Sequence, residues 1–236
     1  VSPTGSRERG PVVLLAHGSR HSLGTASVER LRAAVDASWP APVRAAYLDL
    51  NEPDLTAVAC AIRASGHRRA TVVPLLFTPA FHARTDAPAT VAAARSASGV
   101  DLVLTDILGT PDALIPILGL AASDARIPVT GTLVLAAVGS SRPEANAAVV
   151  DLADRLTAVR QGPVEVGFAT CEPRATDLLA RPGVAGVLAL FVGHGLLLDK
   201  IRAAAAEQGL QVSAPLEDLL APLVVARAAT VPDDHH

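Results

Sequence analysis

Short runs of consecutive apolar residues alternate along the chain with longer Ala-rich stretches. Val12–Ala16, Val43–Leu48, Thr71–Phe77 and Leu102–Thr105 predict buried strands, because near-continuous apolar runs suit a sheet covered on both faces. Between them, Thr25–Ala37, Leu55–Ala64 and Pro88–Ala97 predict helices, with Gly66 and Gly99 as stops. Strand–helix alternation of this kind predicts right-handed βαβ units around a parallel sheet. The pattern then restarts. Thr132–Ala137, Val164–Ala169 and Val187–Phe191 predict strands; Asn146–Ala158, Ala175–Leu179 and Leu198–Gln208 predict the helices between them. A closing helix is expected over Leu216–Arg227, kinked or shortened by Pro222.

Three local matches mark the restart as an internal duplication. Ala16-His17-Gly18-Ser19 recurs as Ala137-Val138-Gly139-Ser140, each after an apolar run. Asn51-Glu52-Pro53 recurs as Cys171-Glu172-Pro173, and the third run of each half ends in Leu-Phe, at Leu76-Phe77 and Leu190-Phe191. A period this long indicates a duplicated lobe rather than a solenoid. The expected fold is α/β, two similar lobes, each a parallel sheet flanked by helices. The expected division is 1–10 as a flexible N-terminus, 11–122 as the first lobe, 129–229 as a degenerate repeat lobe and 230–236 as a tail.

Composition narrows the function. Half of the 236 residues are hydrophobic, enough for a sizeable core, whereas aromatics make up only 3%. Trp39 and Tyr47 are single residues of their types, so a base-stacking surface is not expected. A net charge of −3 without a basic run argues against nucleic acid. No apolar run reaches the roughly 18–20 residues that cross a bilayer, and the polar start lacks a signal core, so the chain reads as cytoplasmic and away from membranes. Cys60 and Cys171 form neither a disulfide framework nor a zinc cluster.

Ligands of open parallel sheets bind beyond the carboxyl ends of the strands. There the first lobe places His17, Gly18, Ser19 and Arg20; then Asp49 and Glu52; then Phe77, Phe81, His82, Arg84 and Asp86. Two imidazoles and a carboxylate at one pole suit an open site for a borderline divalent metal. Helix capping and solvated histidines are the plainer reading of any one of these residues. By the repeat, His17 maps to Val138, Asp49 to about Ala169 and His82 to near Leu196. The second lobe therefore reads as a scaffold half, with His194 and Asp199 either lining a cleft or exposed on a turn. His235-His236 belong to the tail and are not counted as ligands. Dinucleotide, Walker A and G-x-S-x-G signatures are missing, so Ser19 beside His17 is a weak hydrolase signal.

The blocks Leu15-Ala16-His17-Gly18-Ser19-Arg20, Tyr47-Leu48-Asp49-Leu50-Asn51-Glu52-Pro53 and Val73-Pro74-Leu75-Leu76, leading to His82 and Asp86-Ala87-Pro88, resemble the sirohydrochlorin cobalto-/ferrochelatases. These are class II chelatases, and the two-lobe length is similar to the family's long form. The resemblance implies a chelatase-like fold with the active site in the first lobe. It implies His17 and His82 as catalytic and metal-binding residues, with a third ligand in the block where this chain has Asp49. The family usually carries Glu there, so Glu52 is an alternative ligand. Ser19, Arg20, Phe81 and Arg84 are expected to contact the tetrapyrrole, the arginines through its carboxylates.

The expected function is insertion of Fe2+ or Co2+, with Ni2+ also allowed, into sirohydrochlorin for sirohaem or a cobalamin precursor. The metal is a substrate and no organic cofactor is expected. A monomer is expected, its two lobes replacing a homodimer. The alternative is a non-catalytic metal-binding protein or metallochaperone of the same fold.

Overall fold

In the computed structural model, residues 9–78 and 86–232 are described. Phe81, His82 and Arg84 lie outside the described residues. The first half forms a parallel sheet from β1 (Val12–Ala16), β2 (Val43–Tyr47), β3 (Arg69–Pro74) and β4 (Asp101–Leu104), in the order β2-β1-β3-β4. The second half repeats it with β5 (Thr132–Ala137), β6 (Val164–Phe168), β7 (Val184–Leu190) and β8 (Gln211–Val212), in the order β6-β5-β7-β8. Among the described residues seven α-helices connect the strands and an eighth follows β8: α1 (Gly24–Asp36), α2 (Leu55–Ala64), α3 (Ala87–Ser98), α4 (Leu114–Asp124), α5 (Pro143–Val159), α6 (Ala175–Leu179), α7 (Leu196–Glu207) and α8 (Ala221–Ala228).

Strand alternation sorts the core into three layers. Val13 and Leu15 of β1 face α2 and α3, in a cluster with Leu55, Val58, Ile62 and Val91. Val134 and Ala136 of β5 face α6 and α7, with Leu178, Leu198 and Ile201. The other faces of both sheets, through Val12, Leu14, Leu133 and Leu135, share one central cluster with α1, α4, α5 and α8. The halves are thus joined by a common core.

The final helices are exchanged between halves. α4 ends the first half but packs on α5 and β7 of the second, whereas α8 ends the second and packs on α1 and β3 of the first. Helix α4 is not apparent from sequence periodicity, and it continues through the expected boundary at 122 to Asp124. Pro116 at its third position is tolerated because first-turn N–H groups lack an intrahelical acceptor. The expected closing helix is shortened rather than kinked: residues Glu217–Leu220 form a 3-10 turn, and Pro222 lies in the first turn of α8.

Smaller departures have local causes. Strand β7 begins at Val184, ahead of the expected Val187, although Gly186 reads as a break. Ile127 lies 2.8 Å from where a Cβ of Gly186 would sit, so the strand tolerates glycine and the linker uses the space. Arg9 and Gly10, within the segment expected to be flexible, are fastened to Trp39. Its indole donates to the Gly10 carbonyl at 3.0 Å, and the Arg9 guanidinium stacks over its ring.

Candidate active site

Strand β1 lies between β2 and β3, so the chain leaves it in one direction and returns on the other side. A crevice at such a switch point is where open α/β sheets bind ligands. β5 occupies the same place in the second sheet, and both switch points open on one cleft of about 810 Å³. Its lining comes from the segments after β1, β2 and β3 and from those after β5 and β7. His17, Ser19, Arg20 and Asp49 all line it, so four sequence-predicted site residues meet there, with Phe77 beside them from the segment after β3.

The backbone around His17 is tightly specified. Gly18 has φ +102°, and a Cβ on it would stand 1.9 Å from the Asp49 carbonyl oxygen, so only glycine lets the loops after β1 and β2 touch. The Asp49 N–H donates to the His17 carbonyl at 3.0 Å, and Asn51 Oδ1 accepts the Ser19 N–H at 2.6 Å. These bonds place His17 and Asp49 on adjoining loops at the cleft. Asp49 is exposed, with Oδ1 accepting the Leu50 N–H at 2.8 Å. Tyr47 lines the same cleft, and burial, then Glu29, push its phenol above the ordinary range, keeping it protonated.

The second half separates structural from chemical residues. The Thr170 N–H donates to the Val138 carbonyl at 3.0 Å, as Asp49 does to His17. Val138 is therefore the counterpart of His17, and Thr170, rather than Ala169, is the counterpart of Asp49. The offset arises because Leu50, at φ +66°, is an extra residue in the first loop. Glu52 Oε2 accepts the Asp54 N–H at 3.0 Å, and Glu172 Oε2 accepts the Arg174 N–H at 3.1 Å. Glu52 thus closes its own turn, as its counterpart does in a half without the histidine, and among the described residues Asp49 is the carboxylate that lines the cleft. Ser19 Oγ accepts the His21 N–H, and Ser140 Oγ the Arg142 N–H, each at 3.1 Å. The same turn recurs in a half without His17, so Ser19 has a turn-closing role of its own. Among the described residues no group of three or more His, Cys, Asp and Glu could hold a metal, and His82 lies outside them.

A second polar cluster clasps the halves at the cleft, joining His194 and Asp199, both noted in the sequence, to His21, Arg202 and Glu217, which were not. His21 and His194 stack with centroids 5.7 Å apart. His21 Nδ1 accepts the Leu23 N–H, which puts its proton on Nε2, 3.0 Å from Asp199 Oδ2. His194 Nδ1 accepts from Arg202 at 3.1 Å, and its Nε2 lies 3.6 Å from Glu217 Oε1. Glu217 also accepts from Ser27 and from Arg30. Burial, then Arg202, His21 and Arg30, hold His194 below the ordinary histidine range against the pull of Glu217. Burial raises the Glu217 carboxyl, but hydrogen bonds from Arg30 and Ser27 outweigh it and keep the group ionised. His194 and Asp199 are therefore committed to this clasp, His194 at the cleft wall. Cys171 is partly buried, receiving Asn146 Nδ2 at 3.5 Å, and Cys60 is exposed on α2.

Two parallel sheets that share a core and open their carboxyl ends on one cleft define a two-lobed, duplicated α/β fold of the chelatase type. The CbiX family model matches it twice, over residues 11–125 and 132–227, and the chain belongs to that family. The sirohydrochlorin chelatase SirB from Bacillus subtilis subspecies spizizenii, solved in complex with cobalt, is similar at TM-score 0.80 and 20% identity, with 94% of each chain covered. SirB from Bacillus subtilis with Fe3+ gives 0.79 at 20% identity, again with 94% of each chain covered. CbiX, the terminal enzyme for siroheme biosynthesis in denitrifying bacteria, gives 0.70 at 21% identity, covering 94% of this chain and 99% of that one. At such identities the likeness shows the fold. No curated protein sequence matches the chain. No helix among the described residues is long and apolar enough to cross a membrane.

Proposed function

We propose that the chain is a chelatase that inserts Fe2+ or Co2+ into sirohydrochlorin, with the active site in the first lobe around His17. The observation that carries the reading is the asymmetry of the duplicated cleft. Both halves keep the glycine turn and its hydrogen bonds, but only the first carries an imidazole and a carboxylate, His17 and Asp49, where the second has Val138 and Thr170. Shared features explain the fold; the unshared pair is left for chemistry. Family membership and the chelatase-like fold support the same assignment. His82 completes the ligand set by resemblance.

The residues suit the reaction. An imidazole binds borderline divalent ions without the grip of a thiolate set, so the ion can be handed on. His17, freed of metal, can accept a proton that the macrocycle releases. Asp49 balances the charge of the incoming cation from the adjoining loop. Arg20, exposed at the cleft, offers a guanidinium to a peripheral carboxylate. The test is the change in tetrapyrrole absorbance on mixing protein, sirohydrochlorin and Co2+. Turnover beyond one equivalent supports the chelatase; stoichiometric metal binding without turnover supports a metallochaperone of the same fold.

A further inference from the structure

We propose that Val138 and Arg142 form a substrate-holding wall: Val138 packs against the face of the tetrapyrrole and Arg142 pairs with one of its peripheral carboxylates. The inference rests on the chelatase reading above and deepens it.

Three observations point to it. Val138 is the counterpart of His17 and lines the same cleft, yet it is 44% exposed. Leu50 and Leu196, also on the cleft, are 42% and 55% exposed. Apolar side chains open to a concave site are the kind of lining that a largely apolar ligand covers. Arg142 is exposed on the cleft, just before α5, and makes no ion pair among the described residues. Arg20, on the loop after β1, is likewise exposed and without an ion pair among them. The cleft therefore offers apolar side chains together with a spare guanidinium from each half. That combination is complementary to a flat apolar ring with an anionic rim. A second metal-binding histidine at 138 would compete for the ion, whereas valine can touch the ring without binding it.

The test is steady-state insertion of Co2+ into sirohydrochlorin by R142E, R142K and V138D, with tetrapyrrole binding followed by fluorescence quenching and Co2+ binding measured alone. Loss of a charge-assisted pair predicts a rise of about tenfold or more in KM and Kd for the tetrapyrrole in R142E. R142K should recover part of it, and V138D should also weaken tetrapyrrole binding. Co2+ binding should match the parent in all three, and kcat should change much less than KM. Parent-like KM and Kd in R142E and V138D, with the parent active, would overturn this inference and leave the chelatase reading standing. A parent that neither binds nor metallates the tetrapyrrole would overturn both.

Discussion

Asn51 fixes the loop that carries His17: its Oδ1 accepts the Ser19 backbone N–H at 2.6 Å, tying the turn after β1 to the turn after β2. In the second half the equivalent N–H of Ser140 is held from α5 instead, by Asn146 Oδ1 at 2.9 Å. The first half thus couples the loop of the candidate imidazole directly to that of the candidate carboxylate. Asn51→Ala should cost about 1 kcal/mol of stability, the worth of one partly buried hydrogen bond. Metal insertion should fall several-fold more than the lost stability explains. Chemical denaturation and initial rates on one preparation check this, and an unchanged rate would show that the coupling is not used.

Gly18 should tolerate no side chain. Its φ of +102° disfavours any L-residue, and the added Cβ would meet the Asp49 carbonyl rather than a mobile side chain. Gly18→Ala is expected to lose at least about 2 kcal/mol from strain and displacement. Gly99→Ala, whose added Cβ would meet open space, should cost less despite its own positive φ of +66°. Equal thermal shifts in the two variants would contradict the close approach.

The clasp between the halves sets an acid dependence. His194 is held below its ordinary value, so the folded state disfavours its protonation relative to the unfolded chain, where it titrates near pH ~6.5. Its contribution is complete above that pH and is lost as pH falls through and below it. Glu217 is also held low, so its contribution is present above the ordinary glutamate range and fades as pH falls through its depressed value. Urea unfolding between pH 7.5 and 3.5 should show declining stability with two contributions. His194→Gln should flatten the upper one and Glu217→Gln the lower. A His194→Gln variant that keeps the full decline between pH 7 and 5.5 would remove His194 from the account.

The exchanged helices make each half dependent on the other. Residues 11–125 alone lack α8, whose Leu223 and Val224 belong to the central core, and leave α4 without β7. That fragment should not unfold cooperatively by itself, whereas Leu118→Ala in the whole chain should cost about 2–5 kcal/mol. A cooperative, monomeric thermal transition in the isolated fragment would contradict the shared core.

Sequence patterning showed the central strands well because β1 and β5 are buried on both faces, and Val12–Ala16 and Thr132–Ala137 fall where expected. It missed α4 because Pro116 obscures a helix whose first turn can accept it, and it missed β8 because two edge residues carry no periodicity. The exchange of α4 and α8 is also invisible in sequence, since an apolar face does not say which sheet it covers. At the site, His17 and Asp49 were legible because strand ends deliver them a few residues after apolar runs. His21, Arg202 and Glu217 were not, because their meeting depends on how the halves dock. The repeat misplaced the partner of Asp49 by one residue, since Leu50 adds a position that only the backbone hydrogen bonds reveal.

The central claim is that one half of a duplicated cleft does the chemistry, and insertion of Co2+ into sirohydrochlorin by the parent and by His17→Ala tests it most directly. The parent should turn over repeatedly. His17→Ala should keep the parent's thermal stability within about 1 kcal/mol, as expected for a partly exposed loop residue, and insert no metal above the uncatalysed rate. A folded His17→Ala variant that inserts Co2+ at the parent's rate would contradict the account.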